Sequence, residues 1–518
     1  MSPSDKPLHL HLHLRLVRPL ARAYLLGLLS TSGPRLARVL LALAKGQLCY
    51  RSACSQVAEI LHHAIQPYRF PAFCGTLVGG ACLLQIPIGA LLTLLLRLVP
   101  RRCPDPHAPL RLTRFIAALV SASVSFTMLN RIPASAQLRL QSEKNREASL
   151  RSGHPGGAEP SPFNDPPKLR SLDVDDAALK AGSLSRLHLA GRTMDLTLFA
   201  VTRALDIAIS SAWARLPART SSKLRVVPNN APTWLFCFSA ASIMHAWFYS
   251  PLQLPRTYNK WISAAAELDQ RLLTALRHAR YGNWEYGKDT GMAPLLGSMC
   301  RDYGLPEIWG DPAHTVPIPC ELVHMGQGKS CEKHALWRFW RGWAFAAKMY
   351  GPLQLIVLLR KAIKERKPPG RLRLRLQLPV ILGAFADMAR SSAFLGAFIS
   401  LFYYGVCLSR TRLGPKLFSS KTVTPQMWDS GLCILAGCLL CGSSILVEHA
   451  KKRIEILFFV LPRAAAVWFP RRYLPKNRWK EHVAFALSAA LVLTTAQEDP
   501  ARVRGVFGKL LPRILKTD

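Results

Sequence analysis

A long run without a charged side chain is the feature that most constrains this sequence. From Phe70 to Leu96 there is no Asp, Glu, Lys or Arg, and the first charge after the run is Arg97. Such a run is long enough to cross about 30 Å of hydrocarbon as a helix. Because a bilayer core offers backbone groups no water to bond with, only helices and closed barrels span it. The run therefore predicts a transmembrane helix.

Further apolar segments recur along the chain. They are residues 115–130, 194–213, 231–250, 342–359, 391–409, 431–447, 454–469 and 483–496. Several of them are short or carry a charge, so the pattern predicts roughly six to nine spans. The predicted fold class is an all-α polytopic integral membrane helix bundle.

The polar remainder of the chain is strongly basic. It carries 68 Lys and Arg against 30 Asp and Glu, although 50% of all residues are hydrophobic. The cations are dispersed between apolar runs and are not gathered on one soluble domain, which disfavours a nucleic-acid partner. We expect this chain to contact membrane lipids and membrane-protein partners. The 13 cysteines are scattered through apolar stretches, which favours free thiols over a disulfide framework.

Composition divides the chain into five regions. They are a basic amphipathic N-terminal region (1–62), a first membrane repeat (63–250) with a flexible polar insert (132–191), an extramembrane loop domain (251–335), a second membrane repeat (336–500) and a basic C-terminal tail (501–518). No acidic residue lies between Asp5 and Glu59, which is typical of a mitochondrial presequence, of a helix on a membrane surface or of a solvated basic tail. In the loop domain, the apolar spacing predicts one amphipathic helix over 261–280.

Two sequence matches indicate an internal duplication of the membrane part. Arg69–Gly75 and Arg390–Gly396 share the pattern R-x-x-A-F-x-G at the start of an apolar run. Met194–Ala204 aligns without a gap on Ile454–Ala464, which pairs Arg203 with Arg463. Both matches occur in the same order, and the polar insert accounts for the greater length of the first copy. Repeats are common in transporters, whose site lies between them, but duplication also occurs in passive scaffolds.

Small residues and charges inside the apolar runs are the first candidate site residues. The predicted helix-packing positions are Gly75, Gly79, Gly80 and Gly396, where another helix backbone can approach closely. The intramembrane charge candidates are Arg203, Asp206, Asp387, Arg390 and Arg463.

The cost of burying charge limits where these side chains can point. A cation at the centre of a span costs about 2.5 to 3.5 kcal/mol on insertion scales, so each arginine should face the bundle interior, water or a lipid headgroup. Asp206 follows Arg203 by three residues and Asp387 precedes Arg390 by three, a spacing that allows local pairing on a helix. Two interpretations stay open: a polar path or headgroup site between the repeats, and ion pairs that only stabilise helix packing.

A short segment of the loop domain carries four potential metal donors. Cys320, His324, Cys331 and His334 have the spacing C-x3-H-x6-C-x2-H, and four such donors could close a tetrahedral zinc site. The spacing matches no standard zinc finger, so a thiol pair and plain structural positions are alternatives. The common signatures of nucleotide hydrolysis, acyl transfer and zinc proteolysis do not occur in the sequence. No catalytic residue and no cofactor other than this zinc is predicted, and we expect a protein that is not an enzyme.

Several segments together resemble a known family. They are PRTYNKWISAAAELDQRLLTALRHARYG from Pro255, the cysteine–histidine segment, the helix that ends Lys348-Met-Tyr-Gly-Pro352, and ARSSAFLGAF from Ala389. Across roughly residues 232–469 the chain is similar to the fungal branch of the transmembrane protein 135 family. The glycine-containing hairpins of that family are similar in turn to the Tim17/Tim22/Tim23 and peroxisomal 24-kDa membrane protein group. The cysteine-rich block expected of animal members is not evident beyond Cys49 and Cys54.

The resemblance implies a multi-pass protein of mitochondria or peroxisomes, linked to organelle membrane dynamics and to lipid or sterol handling, without established catalytic residues. The hypothesis from the sequence is therefore a non-enzymatic organelle membrane protein in which Arg203 and Arg463 occupy equivalent positions and contact anionic headgroups or acidic neighbours. The alternative is a secondary transporter or translocase-like channel component with a polar path between the repeats.

Overall fold

The computed structural model describes residues 6–98, 108–131, 191–215, 226–364, 378–419, 421–469 and 473–515. Its α-helices are α1 (Lys6–Ala44), α2 (Tyr50–Ile65), α3 (Phe70–Leu83), α4 (Gln85–Leu98), α5 (Ala108–Asn130), α6 (Met194–Ala214), α7 (Val226–Tyr249), α8 (Arg256–Ala266), α9 (Gln270–Tyr281), α10 (Ala293–Asp302), α11 (Cys320–Val323), α12 (Cys331–Lys364), α13 (Leu378–Cys407), α14 (Gly414–Leu417), α15 (Pro425–Met427), α16 (Cys433–Cys441), α17 (Ala450–Trp468), α18 (Arg478–Glu498) and α19 (Gly505–Leu515). Short 3-10 helices lie at Pro251–Gln253, Glu307–Gly310, Gly442–Val447, Pro475–Asn477 and Pro500–Arg502, and π-helical turns at Leu408–Leu413 and Trp428–Leu432. No β-strand occurs in these ranges. The predicted all-α class is confirmed.

Six helical segments of the described chain are long and apolar enough to cross a membrane. They are Tyr50–Leu95, Ala108–Asn130, Met194–Ala214, Cys331–Arg360, Leu378–Leu417 and Pro425–Val447. The chain is thus a polytopic helix bundle, at the lower end of the predicted number of spans. The segments predicted as spans at 231–250, 454–469 and 483–496 form α7, α17 and α18, which are not among the six. In α17 the cause is charge, because Lys451, Lys452 and Arg453 lie in its first turns.

The helices belong to two compact units. Unit 1 holds α1 to α6 together with α18 and α19, and unit 2 holds α7 to α17. These units divide the chain at other positions than the predicted repeat boundaries at residues 250, 336 and 500, which stay predictions. Helix α7 follows α6 in the chain but belongs to unit 2, and α18 follows α17 but belongs to unit 1. The predicted polar insert lies outside the described residues except at Gly191.

In unit 1, α3 packs between α1 and α5, and α18 packs against α5 and α6. Small residues allow these close approaches, since Ala117, Ala118 and Ala122 of α5 are buried. Three aromatic rings pack against one another where α3, α5 and α18 meet. The ring centre of Phe485 lies 5.9 Å from that of Phe73 and 4.7 Å from that of Phe126.

The first and last described helices, α1 and α19, both contribute to this core, whereas the predicted regions 1–62 and 501–518 stay predictions. Helix α1 buries Ala23 against α3, and α19 buries Leu511 and Leu515. Arg22 of α1 donates a hydrogen bond of 3.2 Å to the carbonyl of Arg513 in α19. The arginines of these segments alternate with small and apolar residues, and the latter supply the packing faces.

In unit 2, α12 and α13 pack along each other, α13 packs against α16, and α7 packs against α16 and α17. The order of contact is therefore α12–α13–α16–α7–α17, and in unit 1 it is α1–α3–α5–α18–α6. Aligning the two orders places α3 opposite α13 and α6 opposite α17, as the two sequence matches do. The duplication itself stays a prediction, and these packing orders support it.

The loop domain of unit 2 is ordered and helical. The single amphipathic helix predicted over 261–280 is wrong, because two helices cover this segment. Helix α8 ends where Glu267 takes a left-handed backbone with φ of 48°, and Asp269 then accepts a 2.9 Å hydrogen bond from the backbone amide of Arg271 as the N-cap of α9. This turn separates α8 from α9, whose amphipathic patterns follow each other in the sequence.

Candidate functional site

Unit 2 contains a partly open apolar cavity of about 610 Å³. Helices α7, α8, α12, α13 and α17 supply its walls. The lining includes Phe236, Ala240, Ile243, Met244 and Trp247 of α7, Tyr258, Trp261, Ile262 and Ala265 of α8, Leu353 of α12, Phe394, Leu395, Phe398 and Ile399 of α13, and Ile456, Phe459 and Val460 of α17. Two charged side chains also line it, Glu455 and Arg463, both from α17.

Arg463 is placed in the cavity wall between two aromatic rings. Its guanidinium carbon lies 3.8 Å from the ring centre of Phe459 and 5.2 Å from that of Tyr258. Its Nη1 donates a hydrogen bond to the carbonyl oxygen of Phe459. The faces of aromatic rings attract cations electrostatically, so the two rings stabilise a guanidinium in apolar surroundings.

Unit 1 contains a smaller, partly open cavity of about 280 Å³. Its walls come from α1, α3, α6, α18 and α19. Arg203 of α6 lines it, with its guanidinium carbon 5.2 Å from the ring centre of Phe199 and 5.8 Å from that of Phe507. Its Nη1 donates a 3.0 Å hydrogen bond to the carbonyl oxygen of Arg504. Each unit therefore has an apolar cavity whose arginine lies between two aromatic rings.

The two cavities are lined at matching sequence positions. The predicted alignments pair Arg203 with Arg463 and Phe199 with Phe459, and both pairs line the cavities. They also place the residues Phe73, Cys74, Leu77 and Val78 of one lining opposite Phe394, Leu395, Phe398 and Ile399 of the other.

Sequence reasoning missed a third match, which supplies the remaining walls. It pairs Phe236 with Phe485 and runs without a gap to Ala266 and Leu515. The shared letters F-x-x-S-A-A, followed by Pro251 and Pro500, could have revealed it. The match places the lining residues Ala240, Ile243, Met244, Tyr258, Trp261, Ile262 and Ala265 opposite Ala489, Val492, Leu493, Phe507, Leu510, Leu511 and Ile514. It was hidden because the sequence assigned Phe236 to the first repeat and Phe485 to the second, whereas they belong to unit 2 and unit 1.

The other predicted charges have partners elsewhere. The carboxylate of Asp206 accepts hydrogen bonds from Arg504, one of them 3.1 Å long. Asp387 lies 3.4 Å from the Nζ of Lys452, and Arg390 lies 3.0 Å from Nδ1 of His449. Asp387 and Arg390 are therefore held by a neighbouring helix, α17 and the residue before it, instead of by each other.

The predicted glycines lie at close helix crossings. A Cβ at Gly79 would lie 2.5 Å from the Cβ of Leu20 in α1, and one at Gly75 would lie 3.3 Å from that of Tyr24. Gly80 faces Ser121 of α5, whose Oγ would lie 2.5 Å from an added Cβ. Gly396, the counterpart of Gly75, faces the backbone carbonyl of Phe339 in α12 at 2.7 Å.

The predicted metal donors converge only in part. The donor atoms of Cys320, His324 and Cys331 all lie within 4.8 Å of one another. His334 is not a member of this group, and its ring stacks on that of His324 with centres 4.4 Å apart. Cys407, the last residue of α13, contacts one member of this group, with its Sγ 3.3 Å from Nε2 of His324. The sequence had no means of indicating this residue, because it lies in a different apolar run.

Burial controls the protonation of these groups outside the spans. It raises the pKa of the Cys320 thiol to about 11, and the nearby Arg410 cation opposes the shift. Burial lowers the pKa of His324 below its ordinary value, and the hydrogen bond of its Nδ1 to the carbonyl of Gly328 opposes that shift. Without a bound cation, the thiol is thus protonated and the imidazole neutral at pH 7.

A second buried polar cluster connects the loop domain to the helices of unit 2. The side chains of Arg410 and Asp429 are 4% and 1% exposed, with Nε of the arginine 2.5 Å from a carboxylate oxygen. Tyr286 of the loop domain donates a hydrogen bond to the same carboxylate, and Arg410 donates one to the carbonyl of Ile318. A buried charge is tolerated only when it is paired in this way.

No protein-family model, curated protein or solved structure matches this chain.

Proposed function

We propose that this chain is a non-enzymatic multi-pass protein of an organelle membrane that binds anionic amphiphiles, with the apolar chain in the cavity of unit 2 and the anionic group on Arg463. The observation that carries the proposal is the position of Arg463, a cation between two aromatic rings in the wall of a mainly apolar cavity. Unit 1 repeats the arrangement with Arg203.

The cavity suits an acyl chain or a similar apolar group. Small-molecule sites range from about 300 to 1,000 Å³ and are lined mainly by apolar and aromatic side chains with few polar groups. The cavity of unit 2 has about 610 Å³ and such a lining. Burying apolar ligand surface there contributes roughly 25 cal/mol per Å².

The charges of α17 favour one orientation of the ligand. Arginine binds carboxylate and phosphate groups in a bidentate manner. Glu455 lies eight residues before Arg463 on the same helix, which separates the two charges by about 12 Å along the axis. An anionic headgroup at Arg463 is therefore attracted, and one at Glu455 is repelled.

The proposal also concerns the organelle in which the protein lies and its role there. The resemblance to the transmembrane protein 135 family supports a mitochondrial or peroxisomal membrane and a role in lipid handling or membrane dynamics. The alternative of secondary transport through a polar path between the repeats stays a prediction, and it requires solute flux in reconstituted vesicles.

Binding of a fluorescent long-chain fatty acid to the purified full-length protein in detergent tests the proposal. We expect Arg463→Leu to weaken binding about tenfold, because a charge-assisted hydrogen bond contributes about 1.5 to 3 kcal/mol. Arg463→Lys should retain part of the affinity, and Arg203→Leu combined with Arg463→Leu should weaken it further. Competition with a phospholipid of the same chain length distinguishes carboxylate from phosphate as the preferred headgroup.

Two controls distinguish binding of the anionic group at Arg463 from nonspecific partitioning of the ligand. Lys451→Leu removes one exposed cation from the same helix but not from the cavity, so the affinity should not change. The fatty alcohol of equal length should bind the wild type and Arg463→Leu alike. Equal losses for acid and alcohol, or none for either, would contradict the proposal.

A further inference from the structure

The cysteine–histidine cluster of unit 2 has a donor set that differs from the one predicted by spacing. Cys320 opens α11, His324 follows the end of that helix, Cys331 opens α12 and Cys407 ends α13. The first three bring their donor atoms within 4.8 Å of one another, and Cys407 approaches Nε2 of His324 at 3.3 Å. We propose that Cys320, His324, Cys331 and Cys407 bind one structural zinc ion.

The imidazole of His324 is oriented for coordination through Nε2. Its Nδ1 lies 2.8 Å from the carbonyl oxygen of Gly328, which can only accept a hydrogen bond. Nδ1 therefore carries the proton, and Nε2 presents its lone pair toward Cys407. Metal-binding histidines are commonly held by such a bond from the second ring nitrogen to a backbone carbonyl.

The backbone around His324 is shaped to return the chain to the cluster. Met325 and Gly326 have left-handed φ angles of 54° and 76°, and Gly328 has one of 87°. This turn brings Cys331, only 6% exposed, back beside His324, which is 0% exposed. Cys320 is half-buried, and the other three proposed ligands are buried. A zinc ion held by four protein donors would be of the structural kind.

A buried cation nearby supplies an independent argument. Arg338 is 2% exposed, and within the described residues its hydrogen bonds all go to uncharged groups. They reach the carbonyls of Ala266 and Glu267, the ring of His334 and the sulfur of Met325, the neighbour of His324. Buried charges are as a rule paired. Three thiolates, one neutral imidazole and Zn²⁺ have a net charge of −1, which balances this guanidinium.

Zinc binding would proceed with release of the three thiol protons to solvent, without change in oxidation state. The ion would then join the loop domain, through Cys320 and His324, to the start of α12 and the end of α13, two helices that are long and apolar enough to cross a membrane. A zinc site at this junction would hold the loop domain against the membrane helices.

Elemental analysis of the full-length protein, purified in detergent without chelators, tests the site. We expect one zinc ion per chain in the wild type and nearly none in Cys331→Ser or Cys407→Ser. Cys441→Ser is the matched control, since this equally buried thiol lies in α16 outside the cluster, and it should keep its zinc. His334→Gln should also keep its zinc. This result would distinguish the proposed ligand set from the set predicted by the spacing C-x3-H-x6-C-x2-H.

A second measurement does not depend on the variants being folded. Cobalt exchanged into the wild type should show thiolate-to-metal charge transfer of the strength expected for three thiolates in a tetrahedral site. A wild type without zinc, a disulfide among Cys320, Cys331 and Cys407, or zinc kept by Cys407→Ser and lost by His334→Gln would each overturn the proposal.

Discussion

The ring centres of Phe236 and Phe394 lie 5.8 Å apart, at the contact between α7 and α13 in unit 2. Phe485 and Phe73, which the alignments place opposite them, lie 5.9 Å apart in unit 1. The same aromatic contact thus stands beside both arginine-containing cavities, although it joins residues that are far apart in the chain.

The first prediction concerns these aromatic pairs. Phe394→Ala and Phe73→Ala should each lower the free energy of unfolding by about 3 to 5 kcal/mol, because a large buried ring leaves a cavity that only partly collapses. Thermal or denaturant unfolding in detergent measures the effect. Phe385→Ala, at an exposed position of α13, should change stability by less than about 0.5 kcal/mol. An equal effect of Phe385→Ala and Phe394→Ala would refute the packing argument.

A second prediction uses two glycines of α13. A Cβ at Gly396 would lie 2.7 Å from the carbonyl oxygen of Phe339, so α12 and α13 would have to separate, at a cost of about 1 to 3 kcal/mol. Among the described residues, no atom lies within 4 Å of such a Cβ at Gly383, so Gly383→Ala should stabilise the helix by about 0.5 to 1 kcal/mol. In unfolding experiments, Gly396→Ala should therefore lower the free energy of unfolding and Gly383→Ala should raise it. A destabilised Gly383→Ala would contradict the prediction.

A third prediction addresses the buried pair of Arg410 and Asp429. Asp429→Leu should lower stability by about 3 to 5 kcal/mol, because it leaves the arginine buried and unpaired. The double substitution Arg410→Met with Asp429→Leu should recover most of this loss, since no charge then remains buried. If the double variant is less stable than Asp429→Leu, the loss comes from packing and not from the unpaired charge.

A fourth prediction concerns pH and Asp269 in the loop domain. Burial opposes ionisation of this carboxyl group, but the hydrogen bonds from Arg271 outweigh it, so its pKa lies below the ordinary value of 3.8. The folded state then binds fewer protons than the unfolded state as the pH falls below 3.8. This contribution to stability is present above that pH and is lost as the pH falls through the lowered pKa. Asp269→Asn should therefore show a shallower acid dependence of the melting temperature, and an unchanged slope would exclude this role.

The sequence predicted the features that depend on short stretches of chain. A bilayer selects helices by apolar length and charge, so the run from Phe70 to Leu96 indicated a span without knowledge of its neighbours. The matches around Gly75 and Arg203 likewise needed only local comparison. Cys320, His324 and Cys331 could be grouped because they lie within one short segment.

The tertiary structure alone decided which distant segments meet. Cys407 joins the cysteine–histidine cluster, and Arg504 pairs with Asp206, because segments that are distant in the chain come together in each unit. Likewise, no local pattern of hydrophobicity indicates that α7 belongs to unit 2 and α18 to unit 1. Apolar length and charge act on each segment by itself, whereas the choice of packing partner depends on complementary shapes of side chains that are far apart in the chain.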